Sequence, residues 1–379
     1  MKKLNVSNGN RKTPLLHTIY LATAAIFTLA IIFASATIIP VSSSKTDSDT
    51  TIPSSGLELS AQPVYQEVSR QVGESLINDT HVETTFVANG TLTLPNTTEP
   101  ISTTSTGSIL ISLVDSTAIG KQVITTEDGS ESATAKFFGI ARFNMEEGAG
   151  RGIVIALIQT NSTTVMLAPL DGMILIGQGE FSPERTSTTT LWEWQSGIPS
   201  LLPSATTTTP TPEIELSPQP VYQDQVRAVS ETLINQTHTL STVSGNGTLT
   251  LANGTETIRT TSRGNLMVFD KFIRPMKETT IAIATAEQIL ITEDGSESAT
   301  ARFYEIARFN LQDYSGRGIT IAAVHTNSTG MLAPLDDMIL VGQEEFRADG
   351  SRLVTMWEWQ SGIPPLLPTG TTTSKSTES

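Results

Sequence analysis

The residues that most often carry catalysis are scarce in this chain. Cysteine is absent from all 379 residues, which excludes thiolate nucleophiles, disulfide bonds and cysteine-based metal centres. Four histidines are present: His17 lies in an apolar run, His81 and His238 follow Asn-x-Thr triplets, and His325 matches Gln159 in the internal repeat described below. Because a G-x-S-x-G motif is also absent, the sequence predicts no catalytic residue, no metal site and no cofactor.

A few polar residues in predicted strands have the spacing of ligand-binding groups. Two positions differ between the copies of the repeat, Gly139 against Glu305 and Gly179 against Glu344, and the gain of a charge indicates a solvated position. Alternation then assigns their neighbours, such as Ile140, to the interior. That interior would be apolar with a few polar groups, which either hold a small ligand or pair with one another near a barrel mouth. The candidate ligand-binding residues are Arg142, Gln178, Glu180, Glu193, Arg308, Gln343, Glu345 and Glu358.

Asn-x-Ser/Thr triplets recur along the chain outside its amino-terminal segment. They form matched pairs between the two copies, and proline never fills the middle position. Such triplets accept N-linked glycans when a protein is exported, so we expect several to be modified. The candidate glycosylation sites are Asn78, Asn89, Asn96, Asn161, Asn235, Asn246, Asn253 and Asn327.

The chain contains one domain twice. Residues 58–203 and 215–368 match from end to end, and the run WEWQSGIP, for example, begins at Trp192 and again at Trp357. The second copy is longer around Asp270–Thr280, which predicts a loop or a remodelled strand pair there. A match along the whole length predicts the same fold for both copies.

Each copy is expected to open with a helix and to continue as strands. Tyr65, Val68, Val72 and Leu76 have helical spacing, and the second copy nearly repeats this pattern from Tyr222. The period then changes to two, with turns at Asp-Gly pairs. Eight short strands in order predict an all-β, up-and-down antiparallel barrel, with a two-sheet sandwich as the alternative. The strands predicted in the first copy are 89–94, 101–113, 121–127, 130–144, 151–160, 165–169, 173–181 and 187–195.

The last strand of each copy carries two tryptophans. Trp192 and Trp194 are two residues apart, so they share one face and Glu193 points to the other. We expect the tryptophans to pack against the opening helix at Tyr65 and Val68, with Glu193 facing the barrel interior, and we expect the second copy to repeat this arrangement.

These motifs resemble a known type of barrel. An Asp-Gly hairpin at 128–129, a long strand with Ala-Arg-Phe at 141–143 and a terminal Trp-Glu-Trp strand at 192–194 are similar to those of small lipocalin-like barrels of the allene oxide cyclase and dirigent type. The resemblance covers each repeat after its opening helix and implies a cavity for an apolar or amphipathic small molecule, without implying cyclase activity. The whole chain is similar to uncharacterised exported archaeal proteins with a Thr/Pro-rich stalk.

The amino-terminal segment predicts export. Residues 15–41 are apolar or small and are long enough, as a transmembrane helix, to cross roughly 30 Å of hydrocarbon. Residues 1–14 carry basic residues and no acid, which places them in the cytoplasm. The alternative is a signal peptide that is cleaved after Ala36. The first interpretation predicts a single-pass membrane protein whose carboxyl-terminal part is extracytoplasmic, and the second a secreted protein.

Ser/Thr/Pro-rich segments separate these parts. Residues 42–57, 204–214 and 369–379 are expected to form a disordered stalk, a linker and a disordered tail. The formal net charge of the chain is −15, and residues 1–41 carry four basic residues and no acid, so the exported part is strongly acidic. That charge disfavours nucleic-acid binding and leaves the membrane and a small ligand as the predicted partners.

The predicted function is binding of a small apolar or amphipathic ligand within the barrels. One alternative is a structural or adhesive cell-envelope glycoprotein without a ligand. The other is an enzyme of isomerase or cyclase type that uses Glu193 or Glu180 with Arg142. A cavity larger than roughly 300 Å³ would favour binding over a structural role.

Overall fold

The computed structural model describes residues 57–94, 99–144, 146–162, 166–195, 214–235, 238–251, 257–276, 279–310 and 312–360. The predicted cytoplasmic segment, transmembrane anchor and tail lie outside the described residues, as does nearly all of the predicted stalk and linker. Within the described ranges, no helix has the length and apolar character needed to cross a membrane.

The first copy forms a closed antiparallel barrel, which we call barrel 1. Each strand pairs with the next, and the last strand pairs with the first, so the sheet has no free edge. The barrel predicted from the sequence is therefore confirmed, and the sandwich alternative is wrong. The strands are β1 (Tyr65–Asn78), β2 (His81–Leu92), β3 (Ile101–Ser112), β4 (Thr117–Thr126), β5 (Ser132–Asn144), β6 (Ala149–Thr160), β7 (Ile174–Phe181) and β8 (Thr186–Glu193).

The second copy repeats this topology as barrel 2. Its first strand pairs with both the second and the last. The extra residues near Asp270–Thr280 lengthen one hairpin, since β11 has 20 residues where β3 has 12. The strands are β9 (Tyr222–Leu233), β10 (Thr239–Thr250), β11 (Thr257–Met276), β12 (Thr279–Thr292), β13 (Ser298–Asn310), β14 (Gly316–His325), β15 (Ile339–Phe346) and β16 (Ser351–Glu358).

The predicted opening helix of each copy is wrong, because these residues form β1 and β9. In β1 the buried residues alternate from Tyr65 to Glu67 and Ser69, whereas Val68 is 58% exposed. A strand with polar residues on its buried face does not show the usual apolar period of two, and its exposed valines have helical spacing by coincidence. The predicted strand 165–169 is also wrong, since a 3-10 turn lies at Ala168–Leu170. One strand was missed and one was predicted in excess, so the number of strands in the copy is still eight.

Apolar side chains cover both faces of the central strands in each barrel. The inner faces form one core per barrel, and the outer faces of the two barrels pack against each other in a third core. We call this third cluster the inter-barrel core. It comprises Phe138, Ile140, Ile153, Ile155, Leu157, Ile174, Ile176 and Trp194 from barrel 1, and Ile283, Tyr304, Ile306, Ile319, Ile321, Ala323, Ile339, Val341 and Trp359 from barrel 2.

The contacts between the barrels are close to two-fold symmetric. Phe138 and Tyr304 occupy equivalent positions in the two copies, and their rings stack on each other with centroids 5.3 Å apart. An ion pair also joins the barrels: the Arg302 guanidinium of barrel 2 donates to the buried Asp115 carboxylate of barrel 1. The barrels thus associate like the halves of a dimer.

This packing overturns the predicted assignment of inner and outer faces. Gly139 and Gly179 line the interior of barrel 1, and the buried Glu305 and Glu344 occupy the same positions in barrel 2. Ile140 and its alternating neighbours lie on the outer face instead. The prediction failed because it equated the outer face with solvent, whereas this face is covered by a second barrel.

The tryptophans share a face as predicted, but their partner differs. Trp192 pairs with Ile176 on the outer face of β8, and Trp194 belongs to the inter-barrel core. Trp194 forms a β-bridge with Leu59, which precedes β1. The predicted packing on an opening helix is wrong because no helix is present there.

We predict that Ile155→Ala destabilises both barrels together. Ile155 has no exposed surface in the inter-barrel core, and such a truncation costs about 2–5 kcal/mol. Because both barrels contribute to this core, calorimetry should show one transition at a lower temperature. The control is Ile119→Ala on the outer face of β4, where Ile119 is 42% exposed. Two separate transitions, or equal shifts for the two variants, would contradict the prediction.

Candidate functional site

Barrel 1 encloses a cavity of about 390 Å³. Its lining is mainly apolar and comes from the inward-facing residues of the strands, among them Phe86, Ile109, Phe137 and Leu175. Arg185, in the hairpin between β7 and β8, also lines the cavity and is exposed, so this end of the barrel is its mouth. Both the size and the composition are those of small-molecule sites in proteins.

Two glycines leave this space empty. Gly139 and Gly179 face the interior, and a Cβ added at either position would meet its nearest atom at 3.5 and 3.6 Å respectively, which is ordinary contact. The backbone therefore does not require glycine here. The absence of side chains at these positions keeps the cavity open.

A polar cluster lies at the inner end of the cavity, opposite the mouth. Tyr65 donates to Glu67 Oε2 at 2.8 Å, and Gln122 donates to the same oxygen at 2.6 Å. The Ser105 hydroxyl donates to that oxygen at 3.3 Å. Three strands supply these side chains, β1, β3 and β4, so the curvature of the barrel is what brings them together in its interior.

Burial shifts the titration of this cluster. It raises the pKa of Glu67 above its ordinary value, and the hydrogen bonds from Tyr65, Gln122 and Ser105 oppose that shift. Burial and the adjacent Glu67 carboxylate both raise the pKa of the Tyr65 hydroxyl. Tyr65 therefore stays protonated at neutral pH, and Glu67 binds a proton more readily than an exposed glutamate does.

Barrel 2 has the same cluster but fills the remaining space with charges. Tyr222 donates to Asp224 at 2.5 Å, as Tyr65 does to Glu67. The buried Arg352 guanidinium then lies 2.9 Å from Glu344 and 3.3 Å from Glu305. The positions equivalent to these three residues in barrel 1 are Ser187, Gly179 and Gly139. These three positions carry small residues in barrel 1 and charged residues in barrel 2.

The filled interior of barrel 2 holds more acid than base. Burial raises the pKa of Glu305 to about 8, Glu344 adds to this shift, and Arg352 opposes it. Burial also raises the pKa of Glu344 and of Asp224. A single guanidinium does not balance three carboxylates, so the cluster retains protons in the folded protein at neutral pH.

We predict that the folded state loses stability as the pH rises from about 5 to about 8. The folded protein holds a proton on Glu305 that the unfolded chain, with an ordinary glutamate pKa, releases in this window. The melting temperature at pH 8.5 should therefore lie several degrees below that at pH 6, and Glu305→Gln should reduce this difference. The control is Glu231→Gln, an exposed acid on β9. Identical pH profiles for wild type and Glu305→Gln would refute the prediction.

Two of the predicted ligand-binding residues, Arg142 and Arg308, lie in the contact between the barrels, and two more, Glu358 and Glu193, act on them through their charge. Arg142 donates to the carbonyl oxygen of Asp337 at 2.6 Å, and Arg308 donates to that of Gly172 at 2.7 Å. These bonds are symmetric, since each arginine reaches the same turn of the opposite barrel. Burial lowers the pKa of both arginines, and the negative charges of Glu358 and Glu193, respectively, oppose that shift. The structure thus brings these groups together at the interface rather than in a cavity.

The other four predicted residues lie on the outer faces of β7 and β15. Gln178 is buried, and Gln343 is half-buried. Glu180 pairs with Arg151 at 3.3 Å, and Glu345 pairs with Arg347 at 3.4 Å, in both cases with the acid largely exposed. Surface pairs of this kind contribute little to stability and do not form a site.

The sequence contains a local signal for the polar cluster of the cavity. The pattern Tyr-x-acid occurs at Tyr65 and again at Tyr222, and Gln122 is matched by Gln288. A tyrosine and an acid two residues apart lie on one face of a strand but not on one face of a helix. Because a helix was predicted here, the tyrosine and the acid were not expected to lie side by side.

One cluster has the donor types of a metal site. His325 Nδ1 lies 3.2 Å from Asp337 Oδ1 and 3.9 Å from Asp336 Oδ1. Asp336 already accepts the backbone N–H of Thr326 at 3.0 Å, and all three side chains are partly exposed. An imidazole–carboxylate pair accounts for this arrangement.

The predicted glycosylation sites are accessible wherever they are described. Asn96 and Asn253 lie outside the described residues. The side chains of the remaining sites are all exposed: Asn78, Asn89, Asn161, Asn235, Asn246 and Asn327.

Few known proteins are similar to this chain. No family model matches the chain, and no curated protein matches it. Among solved structures, the chain is similar to a conserved protein of unknown function from Rhodopseudomonas palustris, with 15% identity and a TM-score of 0.28. The match covers 39% of this chain and 99% of the other. A likeness at this level carries no argument about function.

Proposed function

We propose that the protein is an exported, membrane-anchored binding protein that holds one small apolar or amphipathic molecule in barrel 1. The observation that carries this proposal is the cavity of about 390 Å³ with an apolar lining. A barrel without a ligand gains packing contacts when side chains fill its interior, and barrel 2 places Arg352, Glu305 and Glu344 there. An interior that is left open is better explained by a ligand.

Export and glycosylation belong to the same proposal. It is supported by the apolar segment at 15–41, the basic residues before it and the exposed Asn-x-Ser/Thr triplets. The acidic charge of the outer part suits a soluble domain at a cell surface.

A second candidate function is an isomerase- or cyclase-type enzyme. The observation that favours it is the buried Glu67, whose raised pKa suits a general base, beside the protonated Tyr65. The two functions differ in outcome: a binding protein releases its ligand unchanged, whereas an enzyme converts it. Mass spectrometry of the molecule that co-purifies with the chain, before and after incubation, distinguishes them.

Binding in barrel 1 is tested with a fluorescent apolar probe. We expect N-phenyl-1-naphthylamine to bind the full-length chain at one saturable site, and Gly179→Leu to weaken this binding at least tenfold by placing a side chain in the cavity. The control is Thr188→Leu, which adds the same side chain at an exposed position on the outer face of β8.

The result that overturns the proposal is equal binding to Gly179→Leu and wild type, provided that the variant retains the wild-type circular dichroism spectrum. Binding of the probe to the apolar amino-terminal segment would persist in all three proteins, so it is subtracted in the comparison. Loss of binding in Thr188→Leu as well would place the probe outside the cavity.

A further inference from the structure

The Glu67 carboxylate has one saturated oxygen and one available oxygen. Oε2 accepts all the hydrogen bonds that Glu67 makes to the described residues, from Tyr65, Gln122 and Ser105. Oε1 receives none, although Glu67 is only 9% exposed and lines the cavity. Oε1 is not fully buried, so a molecule in the cavity can reach it, and a donor on the ligand would gain a hydrogen bond at this atom.

The described part of barrel 1 supplies no cation to this carboxylate. The charged residues of the cavity lining are Glu67 and Arg185, and Arg185 is exposed at the mouth. Tyr65, Gln122 and Ser105 are neutral donors. When Glu67 is ionised, its charge is therefore balanced by hydrogen bonds alone.

In barrel 2, where charged side chains fill the interior, the acid at the equivalent position lies near an arginine. Asp224 is the counterpart of Glu67 and accepts a hydrogen bond from Tyr222 in the same way. Burial raises the pKa of Asp224, and the positive charge of Arg352 opposes that shift. Arg352 extends from the position that Ser187 holds in barrel 1, where Ser187 lines the cavity. The Arg352 guanidinium of barrel 2 thus occupies a region whose equivalent in barrel 1 is part of the open cavity.

We propose that the ligand of barrel 1 carries a protonated amine that binds Glu67 Oε1, with its apolar part directed along the cavity towards the mouth. In this arrangement the ligand supplies to barrel 1 the cation that Arg352 supplies to barrel 2. Charge-assisted hydrogen bonds of this kind are about twice as strong as neutral ones, so they select the head group. The inference rests on the proposed binding function and adds the chemical class of the ligand.

The test compares three probes that share one chain and differ in the head group. Octylamine, octanol and octanoate are titrated against the full-length protein with bound N-phenyl-1-naphthylamine. We expect octylamine to displace the dye at a concentration about tenfold or more below that of octanol, with octanoate weakest. Glu67→Gln should abolish the advantage of octylamine over octanol, because it keeps the shape of the side chain and removes its charge. The matched control, Asp224→Asn, changes the equivalent acid of barrel 2 and should leave that advantage intact.

The outcomes separate the two proposals. Octanoate or octanol binding as tightly as octylamine, or an octylamine preference that survives Glu67→Gln, overturns the amine proposal and leaves ligand binding in place. Tight octanoate binding would point to Arg185 at the mouth as the polar contact instead. Failure of the dye to bind wild type overturns the binding function, and the amine proposal with it. If Glu67→Gln does not fold, the ranking of the three probes on wild type still decides.

Discussion

The burial of apolar outer faces on the central strands is the constraint on which this structure depends. A small antiparallel barrel ordinarily presents polar residues to water on its outside. Here Ile155 of barrel 1 and Ile321 of barrel 2 are as fully buried outside the barrels as the residues within them. A single copy would expose this apolar face to water, so each barrel depends on the other copy to bury it. The arginines that bridge to the opposite barrel, Arg142 and Arg308, lie at this contact and orient it.

The two barrels share one topology and differ in what occupies the interior. Barrel 2 places a guanidinium and two carboxylates inside itself, an arrangement that stabilises only when each charge is paired and that retains protons to reduce its excess of acid. Barrel 1 has small residues at the same positions, so its interior stays open. Because both barrels share the inter-barrel core, the filled barrel can stabilise the open one. A cavity that would weaken an isolated small domain is tolerated in this way.

The two ends of the cavity in barrel 1 differ in chemistry. Its mouth is formed by hairpins, its walls are apolar, and its inner end carries the hydrogen-bonded group of Tyr65, Glu67 and Gln122. An apolar wall binds many molecules without orienting them, whereas a single buried carboxylate fixes which end of a ligand enters first. In the proposed binding function, the shape of the cavity sets the affinity, and Glu67, the one acid in the described lining, sets the orientation of the ligand.

The sequence by itself determined the duplication and the β-rich class, since repeated motifs and Asp-Gly turns are local signals. It favoured a barrel but left a two-sheet sandwich open, and it reached eight strands because one missed strand and one false strand cancelled. It also contained the polar pair Tyr65 and Glu67, but local spacing alone favoured a helix there. Only the tertiary structure decided which face of each strand is inside. The side-chain period of a strand assigns residues to two faces without saying which face meets water, and here neither face of the central strands does. For that reason Gly139 and Gly179, predicted on the outside, line the cavity, and Arg142, predicted inside, bridges the barrels.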